Sequence, residues 1–154
     1  MSSTAMRTYL HSNSMVRRFL SLELDPDHCA VFGSGPMLAH GLKTSLGDVD
    51  VIARGPAWKK ACEVGELGLS KIGGDPVADF WSGKVEVFNT WLSPDFPIDD
   101  LIDQADVVAG IRFVQLRHVL AYKYRLRRDK DIPDIVALEQ ILGTHGGAGG
   151  LQVA

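Results

Sequence analysis

An apolar run, Cys29-Ala30-Val31-Phe32, stops at Gly33-Ser34-Gly35, and thirteen residues beyond Ser34 the chain enters a second apolar segment that opens on two carboxylates, Asp48-Val49-Asp50-Val51. No other stretch constrains the fold as strongly. Apolar residues bounded by turn formers read as a buried strand, and Pro36 suits the first turn of a helix. A strand, a small-residue turn and a helix start together make a place for phosphate. Side chains on a strand alternate between its faces, so Asp48 and Asp50 share one face and are placed to hold a divalent cation together. Each piece alone has an ordinary reading, because glycine and serine make strand-to-helix turns and Asp-x-Asp often sits on a solvated strand face. Their order and spacing carry the inference.

A catalytic metal calls for a third acid, and Lys84-Val85-Glu86-Val87-Phe88 supplies one. Val85 and Val87 flank Glu86, so a single carboxylate leaves the face opposite two core residues. Glutamate is disfavoured in strands, which makes its position informative. A dinucleotide-binding reading of Gly33-x-Gly35 fits poorly: it needs a third glycine where Leu38 stands, and its acid belongs at the end of the second strand, whereas Asp48 and Asp50 open theirs. No Gly-Lys-Ser/Thr follows the turn, so a P-loop is excluded.

Periodicity places an N-terminal helix over 5–21, with Ser12-Asn13-Ser14 as its weak point, then strand 28–32, helix 36–43, strand 48–53 and helix 56–67 with Trp58, Ala61, Cys62 and Gly65 toward the sheet. Strands at 77–81 and 84–89, joined at Ser82-Gly83, form a hairpin. A proline-bearing loop, 91–97, leads to a short helix at 98–104 and to short strands at 106–109 and 111–114. Helix 115–128 carries Leu116, Val119, Leu120 and Tyr124 on one stripe, and helix 131–142 turns Ile132, Ile135, Leu138, Ile141 and Leu142 inward. The expected architecture is α/β (α+β): a small mixed sheet with helices mainly on one side, in a single domain over 1–142 with its catalytic sheet at 28–114 and C-terminal helices at 115–142. The glycine-rich tail, 143–154, is expected to be disordered.

Composition agrees. With 154 residues, 45% hydrophobic and 23% charged, the chain is long enough to bury about two-thirds of its unfolded surface. A net charge of -3 argues against a general polyanion binder. No apolar run approaches the roughly 20 residues of a membrane span, and no signal-peptide core opens the chain, so a cytoplasmic protein without a membrane partner is expected. Cys29 and Cys62 have neither metal spacing nor a disulfide framework and are read as structural; the five histidines show no metal spacing either.

Val31-Phe32-Gly33-Ser34, then Asp48-Val49-Asp50-Val51, then Val85-Glu86-Val87, resembles the signature of nucleotidyltransferases of the DNA polymerase beta superfamily. The small bacterial members are the nearest likeness: lincosamide and aminoglycoside nucleotidyltransferases and the nucleotidyltransferase-like toxins of abortive-infection systems. Leu120-Ala121-Tyr122-Lys123-Tyr124-Arg125 and Arg128-Asp129-Lys130-Asp131-Ile132-Pro133-Asp134-Ile135 are similar to the lysine helix and the segment that follow the catalytic sheet in such proteins. The likeness spans about residues 28–142.

This resemblance implies transfer of a nucleoside monophosphate from a nucleoside triphosphate to an acceptor hydroxyl, with one or two Mg²⁺ ions. Asp48, Asp50 and Glu86 would be the catalytic and metal-binding acids, Glu86 serving as ligand or as general base; Gly33 and Ser34 would contact the β- and γ-phosphates, and Lys123 would be a triphosphate cation. Arg125, Arg127, Arg128 and Lys130 form a basic cluster that either receives phosphates or RNA or pairs with Asp129, Asp131 and Asp134.

Two departures bear on the likeness. Gly35-Pro36 replaces the usual helix formers, and within these 154 residues no separate helical domain is expected to supply an acceptor pocket. The acceptor, a small hydroxylated molecule such as an antibiotic, an RNA or a protein side chain, would then meet the last two helices, the 91–97 loop or the second subunit of a homodimer. Phe80, Trp81, Trp91 and Phe96 are candidates for a small-molecule wall. The alternative is a non-catalytic protein on the same fold, such as one half of a toxin-antitoxin pair.

Overall fold

The protein is described by a computed structural model over residues 2–71, 73–91 and 95–143; the tail expected to be disordered lies outside the described residues beyond 143. Among the described residues there are seven strands, β1 (Cys29–Phe32), β2 (Val49–Ala53), β3 (Glu66–Leu69), β4 (Pro76–Phe80), β5 (Val85–Phe88), β6 (Asp106–Val108) and β7 (Ile111–Phe113), and seven α-helices. The helices are α1 (Ser3–Ser12), α2 (Ser14–Ser21), α3 (Gly35–Ala39), α4 (Gly55–Val64), α5 (Ile98–Asp103), α6 (Leu116–Leu126) and α7 (Ile132–Leu142). The chain divides into two compact units, Met1–Val114 and Gln115–Ala154.

In the first unit the strands make one mixed sheet in the order β3-β4-β5-β2-β1-β7-β6. β1 is antiparallel to β2 and parallel to β7, β2 is parallel to β5, and β3-β4, β4-β5 and β6-β7 are antiparallel. Antiparallel β1 and β2 cannot belong to a βαβ crossover, so the dinucleotide-binding reading has no structural basis. Alternation sorts the sheet's two faces. Cys29, Val31, Val49, Val51, Ala53, Ala78, Val85, Val87, Ile111 and Phe113 share the main apolar cluster with Leu10, Val16 and Phe19 of α1 and α2 and with Ala57 and Ala61 of α4. Burial pushes the Cys29 thiol up to about 12, which keeps it an inert core residue.

Local chemistry explains where the elements differ from expectation. The single helix expected over 5–21 is two, because Asn13 adopts extended backbone and its side-chain oxygen accepts from the N–H groups of Met15 and Val16, capping α2. Helix 56–67 ends at Val64, since Gly65 adopts extended backbone and the next residues pair with β4 as a strand that periodicity did not indicate; a Cβ on Gly65 would lie 2.7 Å from Phe80 Cζ. Asp48 stands one residue before β2, and α3 is shorter than expected, ending at Ala39.

In the second unit α6 buries Leu116, Val119 and Leu120 as its stripe predicts, and also Tyr122 and Lys123. On α7 Ile135 and Leu138 are buried, but Ile132 and Ile141 are exposed rather than inward. Asp131 and Asp134 occupy the buried arc of its first turn, which rotates Ile132 outward. Among the described residues no helix is long and apolar enough to cross a membrane.

Candidate functional site

Sheet register brings the predicted acids of β2 and β5 together. Asp50 is the direct partner of Glu86 on the parallel neighbour and of Phe32 on β1. Paired residues on adjacent strands lie about 4.8 Å apart and point to the same face. Asp48 enters just ahead of the strand, where Val49 N–H donates to Lys84 O over 2.8 Å and ties the start of β2 to the start of β5. Asp48 is exposed, while Asp50 and Glu86 are half-buried.

The glycine-serine turn closes on this pair. Gly33 has φ +65°, and a Cβ built on it would lie 2.7 Å from Asp50 Oδ2. Glycine is therefore required twice, by the left-handed backbone and by the carboxylate against it. Ser34 begins α3 without capping it through its side chain. Gly35 is equally constrained, because a Cβ there would lie 2.2 Å from Val31 Cγ1; its presence reflects the close seat of α3 on β1.

Two further carboxylates extend the line. Asp79 pairs with Glu86 across β4-β5, and Glu66 pairs with Asp79 across β3-β4, so Asp50, Glu86, Asp79 and Glu66 form one row across four strands on one face. Asp79 Oδ1 also accepts the Gly83 N–H over 2.7 Å, fixing it to a hairpin tip in which Trp81, Ser82 and Gly83 all have positive φ. Asp79 was not among the predicted site residues, although the hairpin's symmetry about Ser82-Gly83 carried the signal. Burial raises the Glu86 pKa above the usual carboxylate range, the charges of Asp79 and Asp48 add to the rise, and Lys71 opposes it.

Aromatic packing borders the row. Phe32 stacks on Trp91 with ring centroids 4.6 Å apart and meets Phe96 edge-on, while Phe88 meets Trp91 edge-on. Trp91 and Phe96 are buried in this group, which makes them packing residues. Phe80 pairs with Val85 and packs with the main core cluster, so it faces away from Glu86 and forms no wall beside it. Trp81 is 46% exposed.

Lys123 belongs to the second unit and is buried there with its ammonium 2.9 Å from Asp134 and 3.5 Å from Asp131. Asp131 is held in turn by Arg128, whose Nε donates over 2.8 Å and whose backbone N–H donates over 2.9 Å. Within the basic cluster Arg128 is thus an ion-pair partner, and Arg127 lies over the Tyr124 ring.

Asp48, Asp50 and Glu86 offer hard oxygen donors of the kind Mg²⁺ takes, and a bound cation would offset the charges of Asp79 and Asp48 that add to the effect of burial on Glu86. As they stand, no three His, Cys, Asp or Glu side chains among the described residues are grouped closely enough to hold a metal ion. In comparisons with known proteins, no family model, curated protein or solved structure matches this chain.

Proposed function

We propose that the chain is a Mg²⁺-dependent nucleotidyltransferase that moves a nucleoside monophosphate from a nucleoside triphosphate to an acceptor hydroxyl. One observation supports this reading above the others: the Gly33-Ser34 turn abuts Asp50, and Asp50 is in register with Glu86. The glycine-serine turn and two carboxylates therefore share one corner of the sheet.

In this reading Gly33 N–H and the Ser34 hydroxyl hold the outer phosphates, where the absence of a Cβ lets the backbone come close. Asp48 and Asp50, with Glu86 as a third ligand or as general base, would hold Mg²⁺, which when bound would neutralise the triphosphate oxygens. The acceptor oxygen forms its bond to the α-phosphorus as the bond from that phosphorus to the bridging oxygen breaks, and pyrophosphate leaves. In the general-base role Glu86 would take the acceptor proton. Lys123 is left out of the phosphate contacts, because Asp131 and Asp134 hold its charge. It serves instead as the electrostatic clamp between α6 and α7.

Mn²⁺ provides the first test. The parent is expected to bind Mn²⁺ more tightly when a nucleoside triphosphate is added, as read by the loss of free Mn²⁺ signal in electron paramagnetic resonance, and Asp50→Asn is expected to abolish the gain. Equal uptake by both proteins would remove the proposed centre.

A further inference from the structure

The strand that periodicity did not indicate, β3, is an edge of the sheet and among the described residues pairs only with β4. All four of its residues are exposed, and Leu67 and Leu69 are 62% and 72% exposed. Register puts Leu67 in line with Ala78 and Val87, two fully buried members of the core cluster. The two leucines therefore continue the core's apolar layer past the point where α4 ends, and Val64, the last residue of α4, is exposed as well. An open strand edge bearing an apolar face is a template for pairing with another strand.

We propose that β3 is the surface through which two copies of this chain associate, pairing edge to edge and antiparallel about Gly68. A two-fold axis through Gly68, normal to the sheet, places Leu67 opposite Leu69 of the second copy and Leu69 opposite its Leu67. All four leucines then lie on one face, and the unpaired N–H and C=O groups of both edges find partners. Gly68 has open space within 4 Å of its Cβ position, so the axis is unobstructed. Charge selects this orientation. The strand is acidic where it begins, at Glu66, and basic just beyond its end, at Lys71. Antiparallel pairing sets Glu66 opposite Ser70 and beside Lys71 of the second copy at both ends, whereas parallel pairing sets glutamate against glutamate. Identical copies are thus complementary to one another in apolar face, backbone and charge. Two four-residue strands bury less than the roughly 1,200 Å² of a standard interface, so the association is weak and concentration-dependent.

Sedimentation velocity of the full chain from micromolar to millimolar concentration tests this. The parent is expected to pass from monomer to dimer and stop there. Leu67→Lys is expected to weaken dimerisation by about tenfold or more, and because the side chain is exposed the variant keeps its fold, checked by circular dichroism. Glu66→Lys alone is expected to weaken it about threefold and the double variant Glu66→Lys/Lys71→Glu to restore it, a result that loss of fold cannot produce. A parent that stays monomeric throughout, a dimer indifferent to Leu67→Lys, failure of the double variant to recover, or growth past the dimer would each overturn the proposal. None of these readouts depends on catalysis.

Discussion

Asp50 Oδ2 lies 2.7 Å from the point a methyl group on Gly33 would occupy. Gly33→Ala is therefore expected to strain the left-handed backbone, at a cost of about 1–2 kcal/mol, and to displace the Asp50 carboxylate from the turn. Urea denaturation should show the first effect, and the triphosphate-dependent gain in Mn²⁺ binding should be lost in the folded variant. A folded Gly33→Ala protein that keeps this gain would separate the turn from the site.

Gly35 and Val31 make a comparable pair on the sheet's other face. Gly35→Ala is expected to destabilise the fold by about 1–3 kcal/mol through overpacking against Val31 Cγ1. Adding Val31→Ala should recover part of that loss, so the two costs will not sum; a double-mutant cycle measured by urea denaturation reads the coupling.

Glu86 stands among like charges, with Asp50, Asp79 and Asp48 as neighbours. Its folded pKa is raised, so its contribution to stability is fully present below the ordinary glutamate value of about 4.3 and is lost as pH rises through the folded value. At neutral pH Glu86→Gln is expected to stabilise the metal-free protein, by less than about 1 kcal/mol because solvent screens the half-exposed carboxylate. Thermal melts at pH 7 and pH 4 check the sign: the gain should be present at the first and shrink at the second.

Lys123 gives the opposite case. Lys123→Met removes the ammonium that the buried Asp134 and Asp131 share, leaving Arg128 on Asp131, and is expected to cost about 3–5 kcal/mol. Burial pushes the Asp131 pKa up, but the hydrogen bonds from the side chain and backbone of Arg128, with the charge of Lys123, hold it below the usual aspartate range. That stabilisation is present above the unfolded value of about 3.9 and is lost as pH falls through the lower folded value. Asp131→Asn should flatten this acid limb of the stability profile.

What the sequence made legible is the part governed by local pattern. The apolar run before Gly33 marks β1, the alternation around Asp50 and Glu86 marks β2 and β5, and Ser82-Gly83 marks the hairpin. β3 was illegible because none of its side chains is buried; it is a strand through its pairing with β4 alone. Asp79 entered the site through cross-strand register, a relation that appears only once both strands are aligned. Lys123 shows the same limit, since the aspartates that hold it lie beyond the end of α6 and reach it through tertiary packing.

The most direct measurement is transfer of label from nucleoside triphosphates carrying ³²P at the α- or the γ-position, with Mg²⁺ and pools of RNA or hydroxylated antibiotics, by the parent and by Asp48→Ala/Asp50→Ala. The parent is predicted to deposit the α-label on an acceptor and release the γ-label in pyrophosphate, and the double variant to do neither. Equal α-labelling by both proteins, or deposition of the γ-label by the parent, would contradict the account.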